Sequence, residues 1–178
     1  MISLSTTRRH IACDLRNHGG DTIRGKLLVY LFNPAFRLLL NYRLGRYFAG
    51  KRSFLARLIV LHYASRQVNR RGCMISYHAD LGDNVRFPHP LGIVIGEGVV
   101  VEDGVRIWQH VTLGSHGRKD EEGGYPTIRK GVRIFANAVV FGNITVGADA
   151  VIGANAVVNR DVPDGAIAVG NPAKNKDR

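Results

Sequence analysis

Two hydrophobic rhythms divide the chain. Over residues 22–66 apolar side chains fall three and four apart, as at Phe36, Leu39, Leu40, Leu44, Tyr47 and Phe48. That spacing predicts amphipathic helices. Pro34 ends one helix and suits the first turn of the next, and Gly50 parts the second from a third over about 53–66. Arg43 interrupts the edge of the apolar stripe, with a stem long enough to lie along it, and the arginines fall mostly on the wet face.

From residue 73 the period becomes six. Apolar residues recur at 75, 81 and 87, then at 95, 101, 107 and 113, then at 128, 134, 140, 146, 152 and 158. Glycine often follows at once, as in Leu81-Gly82, Ile95-Gly96 and Val146-Gly147. Six fits neither a helix nor a simple alternating strand. It fits a solenoid whose unit is one short strand and a tight turn, with three units closing an 18-residue triangular coil. Stacked coils pair their strands in parallel and bury a continuous aliphatic column. The register breaks twice: the step from 87 to 95 holds two extra residues, and the step from 113 to 128 holds nine. A solenoid wall absorbs such insertions only by extruding them, and loops on rigid scaffolds commonly carry function.

Composition refines this picture. The 178 residues allow one domain with a real core, and 45% hydrophobic with 22% charged residues is ordinary for a globular protein. The net charge of +11 is uneven: residues 1–72 hold 14 Lys/Arg against Asp14 and Asp21, whereas 73–178 hold 11 against 12 acids. Two cysteines, Cys13 and Cys73, lack metal-type spacing and suit a reducing, cytoplasmic setting. The start MISLSTTRRH has no apolar signal-peptide run, and no apolar stretch is long enough to span a bilayer. The expected division is a basic helical region over 1–72, a solenoid over 73–174 with a protruding loop at 114–127, and a tail at 175–178.

The first break reads Phe87-Pro88-His89-Pro90-Leu91-Gly92. A histidine between two prolines has a tightly restricted backbone, and its ring titrates near neutrality. That combination suits a general base, against the plainer alternative of a surface histidine in a proline-rich corner. The surrounding segments, His89-Pro90-Leu91-Gly92, Ile95-Gly96-Glu97, Val111-Thr112-Leu113-Gly114-Ser115-His116-Gly117-Arg118 and the tail VGNPAK at 169–174, resemble the serine acetyltransferases and related hexapeptide-repeat O-acetyltransferases of polysaccharide synthesis. The resemblance covers roughly 72–174. It implies a mainly β fold, a left-handed parallel β-helix with a short N-terminal α-helical region, assembled as a homotrimer with active sites between subunits. It implies acetyl-CoA as donor and His89 as the base that removes a hydroxyl proton. By the same resemblance Gly114, Ser115, Ala136 and Ala154 would border CoA, with Arg118 and Lys174 as candidates for its phosphates.

Departures from the serine acetyltransferase pattern bear on the acceptor. Pro88 stands where the family has an aspartate, Met74 where another aspartate orients the catalytic histidine, and Tyr125 where a loop histidine contacts serine. A zwitterion needs carboxylates for its ammonium group. The expected acceptor is therefore a saccharide, bound by Tyr125, Trp108 and Glu97 with help from Gln109 and Asn137. Serine is the alternative, and a non-catalytic trimeric scaffold a second one. Glu97 is also the nearest downstream acid and so a candidate to orient His89, with a backbone carbonyl as the alternative.

No metal is expected, since His110 and His116 do not align with His89 along the coils. His116 is expected to be a mobile surface side chain, and Trp108 also fits an interface between subunits. The basic helices are simply solvated, cap the open end of the solenoid, or lie against an anionic membrane surface, where a lipid-linked acceptor would meet the enzyme. No nucleic-acid motif accompanies their charge.

Overall fold

The structure is a computed structural model describing residues 2–19, 21–117 and 124–177. Four helices precede the solenoid: α1 Leu4–Asn17, α2 Ile23–Phe32, α3 Pro34–Ala49 and α4 Phe54–Arg71. Each opens on a side-chain cap, Ser3, Thr22, Asn33 and Ser53 accepting from the amide three residues on. Gly72 closes α4 in the left-handed conformation with φ 57°. Helix α1 is the element that periodicity did not reveal, because Leu4, Ile11 and Leu15 are too sparse in LSTTRRHIACDLRN to mark a stripe. Its inward face is polar, burying Thr7 and Asp14.

The solenoid has three faces. The first stacks strands Met74–Ile75, Val94–Ile95, Thr112–Gly114, Val139–Phe141 and Val157–Val158. The second stacks Asp80–Leu81, Val100–Val101, Thr127–Ile128 and Thr145–Val146. The third stacks Arg106–Ile107, Arg133–Ile134, Val151–Ile152 and Ile167–Val169, closed by Lys174–Lys176 running antiparallel. Down the first face Ile75 pairs with Ile95, Ile95 with Leu113, Leu113 with Val140 and Val140 with Val158, steps of 20, 18, 27 and 18 residues. The two long steps exceed 18 by the two and nine residues extruded from the wall. All thirteen six-spaced apolar positions are buried. At about 1.5–3 kcal/mol for each fully buried large side chain, this column outweighs any single polar contact.

Stacking leaves one problem at the N-terminal end, where the first coil has no coil above it. Its outward backbone groups would stand bare. Helices α3 and α4 supply the missing partners. Gln67 accepts from the Ile75 amide at 2.9 Å and donates to the Ile75 carbonyl at 3.2 Å. The Tyr42 hydroxyl donates to the Ala79 carbonyl at 2.7 Å and accepts from the Leu81 amide at 3.2 Å. Arg43 donates to the carbonyls of Leu81 and Gly82, both at 2.6 Å. Arg46 donates to the Ala79 carbonyl and to the Asp80 carboxylate, both at 2.7 Å. The Tyr77 ring packs flat on Gly45, where a Cβ would collide with it, so α3 lies tight against the coil.

Arg43 departs from the sequence expectation. It does not lie along the rim of the stripe but sits at the centre of the cap, 4% exposed, with its Nε 3.0 Å from an Asp14 oxygen that is itself buried. Burial pushes the Asp14 carboxyl upward while Arg43 pulls it down. The pair therefore serves geometry more than net stability. Arg43→Ala leaves Asp14 and two carbonyls without donors, and we predict a loss of about 3–5 kcal/mol in urea unfolding. Asp14→Asn, which keeps an acceptor near Arg43, should cost clearly less. Equal losses would mean that the carboxylate charge, and not the carbonyl capping, holds the interface.

Candidate active site

His89 sits where the chain crosses from the third face to the first. The bulge is fastened at both ends. The Leu91 amide donates to the His89 carbonyl at 2.8 Å, and the Gly92 amide donates to the Gly72 carbonyl, the cap of α4, at 3.0 Å. Gly92 takes φ 66°, and a Cβ there would strike the His110 ring, so glycine is required. The imidazole of His89 is exposed.

Below the bulge the same edge is built from stacked turns. The His110 amide donates to Leu91, the Asn137 amide to Gln109 and the Asn155 amide to Ala136, at 2.9, 3.0 and 3.0 Å. His110, Asn137 and Asn155 all take left-handed φ of 57–61°, a conformation that asparagine and histidine adopt more readily than most. Ala136 and Ala154 therefore lie one coil apart on the edge that carries His89, as small residues bordering a groove would. The Gln109 Oε1 is buried with no hydrogen-bond partner among the described residues.

The opposite border of the first face holds a second group. Glu97 and Tyr125 line a cleft of about 810 Å³ between α4 and the first face, together with Met74, Ser76, His78 and Gln67. The Tyr125 ring packs against Gly96 and Gly98, and a Cβ at either would overlap it. Two glycines thus position a side chain that arrives from the far end of the extruded loop. Gly114 and Ser115 begin that loop on the same border, and the space beside Gly114 is open.

So the structure divides the expected residues. His89, Ala136 and Ala154 share one edge, while Glu97, Tyr125, Gly114 and Ser115 share the other. Within one chain Glu97 is not placed to orient His89. Trp108 joins neither cleft nor bulge: its ring stacks on Phe135 at 4.6 Å and 28°. Lys174 is exposed in the closing antiparallel strand, opposite Val169. Arg118 lies outside the described residues. His116 differs from expectation, since its ring packs edge-on to Phe141 at 4.9 Å and close over Gly142. Among the described residues no group of three or more His, Cys, Asp or Glu could hold a metal.

Sequence reasoning missed a column of guanidinium groups on the third face. Arg86 bridges to Arg106, and Arg106 pairs with Arg133. Their spacings of 20 and 27 become periodic only once the two insertions are subtracted.

No family model matches the chain. It is 41% identical over 146 residues to the serine acetyltransferase of Buchnera aphidicola from Acyrthosiphon pisum, a match covering 81% of this chain and 52% of the relative. The chain thus spans about half the length of that relative. Among solved structures, soybean serine acetyltransferase complexed with serine superposes with a TM-score of 0.84 at 32% identity, covering 97% of this chain and 70% of the other. A serine acetyltransferase in complex with CoA superposes with a TM-score of 0.81 at 31% identity, covering 97% and 71%.

These matches overturn the expectation of a saccharide acceptor and of a place in polysaccharide synthesis, because all three proteins are serine acetyltransferases and one is bound to serine. The error had a physical source. It was drawn from missing aspartates at Pro88 and Met74, whereas the cleft beside Tyr125 keeps a carboxylate in Glu97. The solenoid is accordingly a left-handed parallel β-helix. With 97% of its residues superposed on enzymes at about 30% identity, the chain belongs to the serine acetyltransferase family of hexapeptide-repeat acetyltransferases.

Proposed function

We propose that this protein transfers the acetyl group of acetyl-CoA to the hydroxyl of L-serine. The observation that carries this reading is the superposition of nearly the whole chain on a serine-bound enzyme. His89 acts as the general base. Its imidazole takes the hydroxyl proton as the serine oxygen attacks the thioester carbonyl. The tetrahedral intermediate then collapses, the C–S bond breaks, and the sulfur leaves as the thiol of CoA with the proton carried by His89. The products are O-acetylserine and free CoA. Holding both substrates in one groove supplies much of the rate, and no covalent enzyme intermediate is needed.

The site is completed by a second subunit of a trimer. His89 and the Glu97–Tyr125 cleft stand on opposite borders of the first face, so one copy contributes the base and its neighbour the cleft. The orphaned Gln109 oxygen on His89's edge supports a partner there. CoA runs beside Ala136 and Ala154 of one subunit and Gly114 and Ser115 of the next, where small residues let backbone groups reach it. Lys174 and Arg118 remain the cations proposed for its phosphates. Glu97 is proposed to meet the serine ammonium group, and Tyr125 to flank the bound amino acid. Trp108, stacked on Phe135, is proposed to stiffen the subunit interface. Two free thiols, Cys13 and Cys73, fit a cytoplasmic setting. Among the described residues no helix is long and apolar enough to cross a membrane.

Three outcomes are expected. His89→Ala should lower serine-dependent thiol release by about 10²–10⁴-fold while acetyl-CoA still raises the melting temperature. Full activity in a folded His89→Ala protein would remove the proposed base. Tyr125→Phe should raise KM for serine with the CoA affinity unchanged, and a change confined to CoA would move Tyr125 to the donor site. Sedimentation should give a trimer or a multiple of it, and an active monomer would contradict a shared site.

A further inference from the structure

A second cavity, of about 170 Å³, lies within the helical cap, away from the cleft and the His89 bulge. It is lined by Arg37, Arg66 and Arg71 with Tyr30, Asn41 and Tyr63. Among the described residues none that lines it is acidic. The whole of residues 1–72 has only two carboxylates, Asp14 and Asp21, and Asp14 is already committed to Arg43. Arg37 spends one nitrogen on the Leu31 carbonyl at 3.1 Å. Arg71 has no such partner: its Nη1 is buried and makes no hydrogen bond among the described residues. Burial lowers the Arg71 guanidinium from its usual range, and Arg37 and Arg66 lower it further. A guanidinium does not give up its proton near neutral pH, so the cluster keeps its charge and needs a counter-charge. A buried donor without an acceptor is costly, which makes this cavity unlike a row of solvated surface arginines.

From this geometry we infer a binding site for a phosphate group, held by Arg37, Arg66 and Arg71. Three guanidinium groups more than balance the charge of a tetrahedral dianion and supply donors to several of its oxygens at once. The cavity has room for a phosphate group among these side chains. The ligand is therefore inorganic phosphate or the exposed phosphate of a larger molecule, including an anionic lipid headgroup. The site stands at the end of α4. The residue after Arg71 is Gly72, whose carbonyl takes the Gly92 amide, and the Cys73 sulfur lies 3.5 Å from the Pro90 carbonyl. An anion here steadies the helix end to which the His89 bulge is fastened.

The test is a thermal melt of the intact protein with inorganic phosphate, against sodium chloride at matched ionic strength. Phosphate should give a saturable rise, on the order of 2–4 °C at saturation. Arg71→Gln should melt at or above the wild-type temperature without ligand, since like charges are relieved, and should lose the phosphate response. Arg66→Gln, which removes a second cation of the cluster, should weaken the response and serves if Arg71→Gln does not fold. A response no larger than with chloride, or one unchanged in both variants, would overturn the site. Flotation with phosphatidic acid vesicles distinguishes the sources. Vesicle binding competed by inorganic phosphate places a lipid headgroup in this pocket. Binding to vesicles alone, without any phosphate response, would refute the pocket in favour of a diffuse surface attraction.

Discussion

A parallel β-helix cannot end without leaving a row of backbone donors and acceptors unpaired, and this molecule is organised around that constraint. Within the stack every coil is satisfied by the next. At the N-terminal end the partners have to be side chains, and they have to come from elements long and rigid enough to hold them. Helix α3 supplies Tyr42, Arg43 and Arg46 from one face, and α4 supplies Gln67. Asp14 of α1 then fixes the arginine that reaches deepest. Much of the positive charge that looks like a solvated helical surface is thus backbone chemistry transferred to side chains. At the other end the same problem is met by backbone, through the antiparallel strand Lys174–Lys176.

The solenoid was legible in the sequence because its determinant is one-dimensional. An inward aliphatic every sixth residue survives translation into three dimensions unchanged, and all thirteen positions are buried. The two insertions were legible for the same reason. Helix α1 was not, since its most buried residues, Thr7 and Asp14, are polar. The role of Arg43 was also hidden: nothing local to an arginine on a helix says that two carbonyls 38 and 39 residues downstream lack donors.

The proposed site rests on residue types that the sequence displays and on an arrangement that it does not. His89 stood out through its prolines and the broken register. Its separation from Glu97 did not, because the two are only eight residues apart in the chain and yet occupy different corners of the triangle. Proximity along a solenoid is a poor guide to proximity in space. Residues 18 apart stack on one another, while outward-pointing residues six apart project from different faces. The acceptor was misread for a related reason. Single missing aspartates were weighed as though binding groups were fixed to positions, whereas a cleft holds several chemically competent groups at once.

The fixed coil height makes the solenoid a ruler. Coils are interchangeable in their inward residues, so a chain lacking one whole coil below His89 would still close, and its cap and final strand would be undisturbed. Yet each coil advances by one strand spacing, about 4.8 Å. On the proposed reading of the site, Ala136 and Ala154 would then meet an extended donor molecule at the wrong distance from His89. Fold and function thus tolerate different edits. Stability counts coils only loosely, while the length of the molecule that can lie along the edge is set by how many turns separate His89 from the closing strand.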